Sequence, residues 1–286
     1  MILETLETEP LTSVWSVLAL VKRKIIQTLS TFLYNANLVG FVRGTIYRGE
    51  LKGLCVPGLN CSSCPGAIAA CPLGALQGAL GSIRFRLPLY IFGLLLLFGA
   101  LLGRAICAFL CPFGLIQELL NKIPTPKLPK SKITRWLSLT KYAVLLIFVL
   151  YLPLHFLIAN GVSVPAFCKY LCPMGTLQAG IPLVLTNESL RAITGALFHW
   201  RLVWLGVILL VSIFIYRFFC RFLCPLGAIY SLFNRVAFFG IKVDNKHCTN
   251  CNACVRYCKM DVTKINDREC IRCGDCRPAC KYNAIK

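Results

Sequence analysis

Acidic residues are scarce in this sequence, and their placement is uneven. The chain has 11 Asp and Glu residues against 31 Lys and Arg residues, a formal net charge of +20. Between Leu51 and Gly240 only Glu118 and Glu188 carry a carboxylate. A long stretch that avoids carboxylates is typical of a segment embedded in a bilayer, where such groups are costly. A basic chain can also bind nucleic acid, but here most basic residues flank apolar runs, so we expect no nucleic-acid partner.

Histidine and two cofactor motifs are also rare or missing. The chain has three histidines and no Cys-x2-Cys-His motif, which excludes the usual covalent attachment of haem. His155 and His199 stand singly near the ends of apolar runs, where an interfacial position is the commoner role. No complete Gly-x-Gly-x-x-Gly run occurs, and Thr194-Gly-Ala-Leu matches only part of a flavin-attachment motif. We therefore expect neither haem nor flavin in this chain.

Long apolar runs are abundant in what remains. Hydrophobic residues form 57% of the chain and the mean hydropathy is +0.69, well above the soluble average. Three runs have the length, low internal charge and aromatic or basic margins of spanning helices: Leu87–Leu102, Trp136–Ile158 and Leu202–Phe219. Ile25–Val42 contains several polar residues and is a weaker candidate, which could lie at the interface instead.

These runs predict an all-α polytopic membrane domain followed by a small tail. We divide the chain into an N-terminal segment with a membrane or interfacial helix, a membrane domain and a cysteine-dense tail, at residues 1–54, 55–241 and 242–286. A Pro- and Lys-rich loop over 121–135 cannot be helical throughout. Its five basic residues place it, and with it the tail, in the cytoplasm. Five further basic residues conflict with this topology unless the outer loop folds against the protein: Arg43, Arg48, Lys52, Arg84 and Arg86.

The tail contains the most specific motif. Cys248-x2-Cys251-x2-Cys254-x3-Cys258 and a second run with the same spacing from Cys270 to Cys280 match bacterial two-cluster ferredoxins, in which the fourth cysteine ligates the other cluster. We therefore predict an α+β ferredoxin-like fold with two [4Fe–4S] clusters. Structural zinc sites also use Cys-x2-Cys pairs, but two interleaved runs favour the ferredoxin interpretation. The predicted ligand sets are Cys248, Cys251, Cys254 and Cys280 for one cluster, and Cys258, Cys270, Cys273 and Cys276 for the other.

A Cys-Pro-x-Gly unit occurs four times upstream of the tail, starting at Cys71, Cys111, Cys172 and Cys224. Three of these cysteines have a second cysteine four residues earlier: Cys107, Cys168 and Cys220. Proline is favoured at the first position of a helix, so each unit predicts a short helix that begins directly after its cysteine. The thiolate then lies at a helix N-terminus, where backbone donors favour an anionic ligand.

A cubane cluster needs four ligands, so two cysteine pairs must converge. If the three strong runs each cross once, two of the pairs share one side, while the third pair faces the loop that contains Cys55, Cys61, Cys64 and Cys71. We predict two membrane clusters with these ligands: Cys107, Cys111, Cys220 and Cys224 for one, and Cys64, Cys71, Cys168 and Cys172 for the other. Cys55 and Cys61 stay unassigned. In an alternative scheme, the four loop cysteines form a cluster of their own.

The sequence from about Cys107 to the C-terminus resembles the membrane-bound polyferredoxins of the NosR/NapH type. The resemblance is carried by two features: Cys-x3-Cys-Pro units that follow apolar runs, and the tandem ferredoxin runs after them. The resemblance implies electrons received from quinol, flavoprotein or ferredoxin partners and supplied to reductases or to their maturation. This sequence differs in its third Cys-x3-Cys-Pro pair, in the Cys55–Cys71 block and in the lack of an appended flavin domain.

Together these patterns predict a membrane-integral protein that relays single electrons through about four [4Fe–4S] clusters, in the cytoplasmic membrane of a prokaryote. The tail has ten Lys and Arg against five Asp and Glu, so we expect an acidic cytoplasmic donor such as ferredoxin or a flavoprotein. The electrons would reach, or cross the membrane to, a membrane or extracytoplasmic redox partner. Two other functions stay open: a quinone-reactive subunit of an oxidoreductase complex, and a reductase or maturation factor for a metalloenzyme.

Overall fold

The computed structural model describes residues 9–80 and 89–285, with side chains from residue 22 onward. The described part is mostly helical, and we number its helices in chain order. These are α1 (Glu9–Tyr34), α2 (Leu38–Arg43), α3 (Pro72–Leu80), α4 (Leu89–Leu102), α5 (Ala105–Phe109), α6 (Pro112–Leu120), α7 (Lys132–Asn160), α8 (Phe167–Leu171), α9 (Gly175–Thr186), α10 (Glu188–Ala192), α11 (Ala196–Phe214), α12 (Phe218–Phe222), α13 (Pro225–Phe233) and α14 (Ala253–Tyr257). Short 3₁₀ turns occupy Glu50–Gly53 and Arg277–Ala279.

Two of these helices, α7 and α11, are long and apolar enough to cross a membrane by length and composition. Their most apolar windows have mean hydropathies of 2.3 and 2.0, yet only 11% and 17% of those windows are buried. A core helix of a soluble protein would be largely buried, so the outward apolar surface of α7 and α11 suits a lipid environment. Two shorter apolar helices, α4 and α9, accompany them.

The predicted spans differ from the helices at some of their ends. The run Trp136–Ile158 falls inside α7. The first two residues of Leu87–Leu102 lie outside the described residues, and the rest forms α4. The run Leu202–Phe219 is interrupted, because α11 ends at Phe214 and Arg217 takes a left-handed conformation with φ of 51°. The weaker candidate, Ile25–Val42, is divided between α1 and α2.

The helices define two ends of the molecule. At the tail end, Lys141 of α7 lies against Glu269 at 2.5 Å, and Phe214 closes α11 beside the 121–135 loop. At the opposite end, which we call the loop end, the indole of Trp204 in α11 donates to the carbonyl of Leu171 at 3.1 Å. The chain therefore passes from one end to the other through α7 and returns through α11.

The tail is less regular than an α+β domain. Residues 9–80 and 89–285 contain no sheet, and only two isolated bridges join backbone segments, Cys55 with Ala70 and Val243 with Ile285. The second bridge closes the tail on itself, so that it starts and ends at the same place. Within it, α14 is a single short helix. The tail therefore has little regular secondary structure, and its cysteines are its most regular feature.

Ionic contacts hold the tail against the helical part. Glu269 is 1% exposed and contacts Arg104 at 2.6 Å and Lys141 at 2.5 Å. Asp261 pairs with Arg221 in a second buried contact. Burial acts to raise the pKa of Glu269, but the charges of Arg104 and Lys141 outweigh it and hold that pKa below its ordinary value. The tail is thus attached through buried ion pairs, and the carboxylate of Glu269 stays ionised at neutral pH.

Candidate metal centres

Four cysteines come together at the tail end of the helical part, and we call them the proximal set: Cys107, Cys111, Cys220 and Cys224. All four are buried. They arrive on two similar units, α5 with α6 and α12 with α13, as the repeat pattern predicted. Cys111 and Cys224 directly precede α6 and α13, whose first residue is proline in both cases.

The predicted helix starts are confirmed in all four repeats. Pro72, Pro112 and Pro225 are the first residues of α3, α6 and α13, and Pro173 starts the helical turn that leads into α9. The reason is local, since proline lacks the donor that would be unpaired at this position. As a result backbone N–H groups of the new turn point at the thiol. Gly227, for example, donates to Sγ of Cys224 at 3.3 Å.

A second group of four, the distal set, lies at the loop end. Its members line a cavity of about 340 Å³: Cys61, Cys71, Cys168 and Cys172. Repeat symmetry predicted Cys64 in this group, but in the structure Cys61 lines the cavity and Cys64 does not. The thiol of Cys64 instead faces Oδ1 of Asn35 at 3.6 Å. Cys55 is buried at the bridge to Ala70 and does not line the cavity.

The path of the loop explains the exchange between Cys61 and Cys64. The backbone N–H of Cys61 donates to Oε1 of Gln178 at 3.0 Å, which ties this residue to the helix that follows Cys172. Cys64 lies one turn further on and points toward the end of α1. Repeat symmetry carries no information about this path, so the sequence had no signal for it. In the alternative scheme Cys55, Cys61, Cys64 and Cys71 share one cluster, but in the structure only Cys61 and Cys71 line the distal cavity.

The tail cysteines form two more groups. The outer tail set lines a pocket of about 220 Å³: Cys248, Cys251, Cys254 and Cys280. The inner tail set lies next to it and consists of residues in mutual electrostatic contact: Cys258, Cys270, Cys273 and Cys276. These are the same two groups that the interleaved spacing predicted. In the outer set, the backbone N–H of Ala253 and the hydroxyl of Thr249 lower the pKa of Cys251, which favours the thiolate form that binds metal.

The repeats also place a glutamine six residues after Cys71, Cys111 and Cys172, to which the sequence analysis gave no role. Each of these glutamines reaches across to the other half of its site. Gln117 accepts from the backbone N–H of Phe219 at 2.9 Å and donates to Sγ of Cys220 at 3.1 Å.

In the distal set, two glutamines make contacts of this kind, one from each half of the site. Gln178 accepts from the N–H of Cys61 at 3.0 Å, and Gln77 accepts from the N–H of Cys168 at 3.4 Å. The glutamine that follows one cysteine pair thus fixes the backbone of the opposing cysteine. In the fourth repeat the same position is Tyr230.

Positive charge surrounds the proximal set. Glu118 is 5% exposed and contacts Arg23 at 2.9 Å, Arg217 at 2.5 Å and also Lys24. Arg217 in turn donates to the carbonyl of Cys107 at 2.6 Å. Glu118 thus faces three basic groups beside four thiols, and Asp275 is the second carboxylate near them, 3.6 Å from Arg23. An excess of buried positive charge suits a group whose net charge is negative.

The residues present fit [4Fe–4S] clusters. Four thiols are the donor set of a cubane, and each of the four sets supplies them. Within the described ranges, no three His, Cys, Asp or Glu side chains group tightly enough for a single metal ion. The cysteines of the distal and outer tail sets instead surround an open volume. Backbone donors aimed at the thiols complete a site for an anionic group larger than one ion.

A protein-family comparison agrees with the repeat. A family described as a 4Fe-4S binding domain matches residues 70–90, 87–131, 143–184 and 197–246, which together form more than half of the chain. Each matched segment contains one Cys-Pro-x-Gly unit. The match therefore follows the four Cys-Pro-x-Gly units of the helical part and not the ferredoxin runs of the tail.

Several curated proteins are similar to this chain. An uncharacterised protein of Methanocaldococcus jannaschii is 30% identical over 65% of this chain and 69% of its own length. The regulatory protein NosR of Stutzerimonas stutzeri is 30% identical over 55% of this chain and 20% of NosR. The methylamine utilization ferredoxin-type protein MauN of Paracoccus denitrificans is 28% identical over 65% of this chain and 60% of MauN. The chain thus spans about two thirds of the first relative and less of the other two. No solved structure matches it.

Proposed function

Since the chain belongs to the family of the 4Fe-4S binding domain, as a polyferredoxin of the NosR/NapH type, we propose that it relays single electrons along a row of four [4Fe–4S] clusters. Each cluster would be held by one of the four cysteine sets. The clusters supply the one-electron chemistry, and the protein sets their spacing, their potentials and access to them. The observation that carries the proposal is the order of the sets from the outer tail set to the distal set.

Neighbouring sets are in contact along this row. The two tail sets adjoin one apolar cluster, against which both Cys254 and Cys276 pack. Between the inner tail set and the proximal set, Arg104 bonds Glu269 at 2.6 Å and the carbonyl of Cys220 at 3.3 Å. Met260 and Ile271 of the tail join the same apolar core as the proximal cysteines. This contact would exclude water from the region through which an electron passes between the inner tail set and the proximal set.

The row also follows the direction of the two long apolar helices. The tail and the proximal set lie at the tail end, and the distal set lies at the loop end. We propose that α7 and α11 cross the cytoplasmic membrane of a prokaryote and that the tail is cytoplasmic, because the basic 121–135 loop lies at the tail end. Among the basic residues that conflict with this orientation, Lys52 folds back onto the carbonyl of Ala67 at 2.7 Å. Arg84 and Arg86 lie outside the described residues.

Each end of the row would serve a different partner. The exposed, basic tail suits an acidic soluble donor, a ferredoxin or a flavoprotein, whose approach it would accelerate. At the loop end the distal cavity is lined in part by Lys169 and Arg201. A membrane or extracytoplasmic redox enzyme would exchange electrons there. The chain itself would act as an electron carrier or as the electron-transfer subunit of an oxidoreductase complex.

The direct test is the iron and acid-labile sulfide content of anaerobically purified protein. Four cubanes predict about sixteen irons per chain. Changing both Cys168 and Cys172 to serine should lower the content to about twelve, because the distal set loses two of four ligands. A content near eight irons in the unchanged protein would refute clusters in the membrane part.

Transfer across the bilayer is tested in liposomes that contain the purified protein, with reduced ferredoxin outside and oxidised cytochrome c enclosed. Reduction of the enclosed cytochrome that depends on Cys168 and Cys172 supports a relay from one face to the other. Full cluster content without such reduction would restrict the protein to one face. Reduction of the clusters by quinol and not by ferredoxin would favour the quinone-reactive subunit.

A further inference from the structure

The segment between the proximal and distal sets is the turn Pro57-Gly58-Leu59-Asn60. Gly58 packs against the backbone of Cys111 in the proximal set. The next two residues, Leu59 and Asn60, line the distal cavity together with Cys71. Three consecutive residues thus span from a cysteine of one set to a cysteine of the other.

This turn is held very close to the proximal set. A side-chain carbon on Gly58 would lie 2.8 Å from the carbonyl oxygen of Leu110 and 3.3 Å from Cα of Cys111. Such contacts are too short for any residue other than glycine without a shift of the backbone. Leu59 and Asn60 are 3% and 0% exposed, so bulk solvent does not reach the turn. On the other side, both residues line the distal cavity.

A hydrogen bond from Tyr230 holds the first residue of the turn in place. The hydroxyl of Tyr230 donates to the carbonyl of Pro57 at 3.0 Å, and its side chain is fully buried. Tyr230 stands at the repeat position where the other three units have the bracing glutamine. The glutamines bond backbone within their own site, whereas Tyr230 belongs to a proximal-set unit and bonds the loop that carries Cys61. The repeat is therefore broken at a position whose side chain connects the two sites.

From this geometry we propose that the turn 57–60, positioned by Tyr230, is the route by which an electron passes between the two membrane sites. The inference rests on the proposed function, since it requires a cluster in each set. With a cluster held by each set, the turn would carry one electron from the cluster that is oxidised to the cluster that is reduced. No bond is broken and no proton moves. Tyr230 acts as a positioning residue, and its ring is not itself oxidised.

The experiment uses the full-length, cluster-loaded protein with two substitutions, Tyr230→Phe and Gly58→Ala. Tyr230→Phe removes only the hydroxyl that holds Pro57, and Gly58→Ala forces the turn away from Cys111. The matched control is Tyr142→Phe, because the hydroxyl of Tyr142 bonds Ser231, the neighbour of Tyr230, at 2.6 Å and touches neither set. Iron content and EPR spectra are recorded first, to establish that the clusters are intact.

The deciding readout is the rate at which the distal signal appears by rapid-freeze EPR after the tail is photoreduced. The distal signal is identified by its loss in the Cys168→Ser, Cys172→Ser double variant. We expect unchanged iron and midpoint potentials in Tyr230→Phe, with transfer to the distal site slowed and the magnetic coupling between the two membrane clusters weakened. The control should match the unchanged protein.

Each other outcome has a definite meaning. Full iron with an unchanged transfer rate in Tyr230→Phe overturns the route while leaving the relay in place. About eight irons in the unchanged protein removes the proposed function and the route together. If Gly58→Ala loses iron, the turn is needed to build the sites, and Tyr230→Phe alone then decides the route.

Discussion

Replacing Glu269 with glutamine should detach the tail from the helical part. Glu269 is the only carboxylate that contacts Arg104 and Lys141 among the described salt bridges, and both cations have side chains with 0% exposure. Removing one partner of a buried ion pair typically costs about 3–5 kcal/mol, because the remaining charge stays buried and unpaired. Glutamine keeps the size and one acceptor, so we expect about 3 kcal/mol, roughly a hundredfold change in the ratio of docked to undocked tail.

Limited proteolysis measures this ratio. Trypsin should cleave Glu269→Gln near the start of the tail at concentrations that leave the unchanged protein intact, and electron transfer from the tail to the proximal set should slow in parallel. Glu188→Gln is the matched control, because Glu188 is an exposed acidic residue in the short helix α10, far along the chain from the tail. Cleavage and transfer that match the control would refute the view that this ion pair docks the tail.

Further predictions concern acid, the proximal site, the distal ligands and the donor. The pKa of Glu269 is depressed in the folded protein. The ion pair should therefore stabilise tail docking fully above the unfolded pKa of about 4.3, and this stabilisation should be lost as the pH falls through the folded pKa. In Glu269→Gln, tail docking should no longer depend on pH in this range. Gln117→Leu should lower the midpoint potential of the proximal cluster, measured by EPR titration, because hydrogen bonds to cluster sulfurs raise potentials; an unchanged potential contradicts this. Cys61→Ser should lose about four irons while Cys64→Ser keeps them, and the reverse result would restore the ligand set expected from repeat symmetry. Stopped-flow reduction by an acidic ferredoxin should slow as salt rises, and a salt-independent rate would remove the electrostatic role of the tail.

Local chemistry explains which features could be read from the chain. The four helix starts follow from a proline that directly succeeds each cysteine, a rule that involves only neighbouring residues. The two tail groups follow from interleaved spacings, since a short chain between ligands leaves few ways to close around a cluster. The apolar runs likewise predicted α7, because its hydropathy does not depend on what it packs against.

Long-range contacts decided the features that the sequence left open. The end of α11 at Phe214 reflects Arg217, whose left-handed backbone aims its guanidinium at Glu118, a partner 99 positions away. Glu118 itself has no local pattern that distinguishes a buried ion pair from a solvated carboxylate. The bracing role of Gln117 is similar, because its partner lies in another repeat.

The amino-acid sequence by itself thus determined iron–sulfur binding as the kind of chemistry, which tail cysteines lie near one another and where the short helices after the cysteines begin, because these depend on residue type and on spacing over a few positions. Only the tertiary structure decided that Cys61 and not Cys64 lines the distal cavity, that Glu269 docks the tail, and that the turn at Gly58 lies between the two membrane sets. Those outcomes depend on where a loop passes in space, and loop paths are set by the sum of distant contacts.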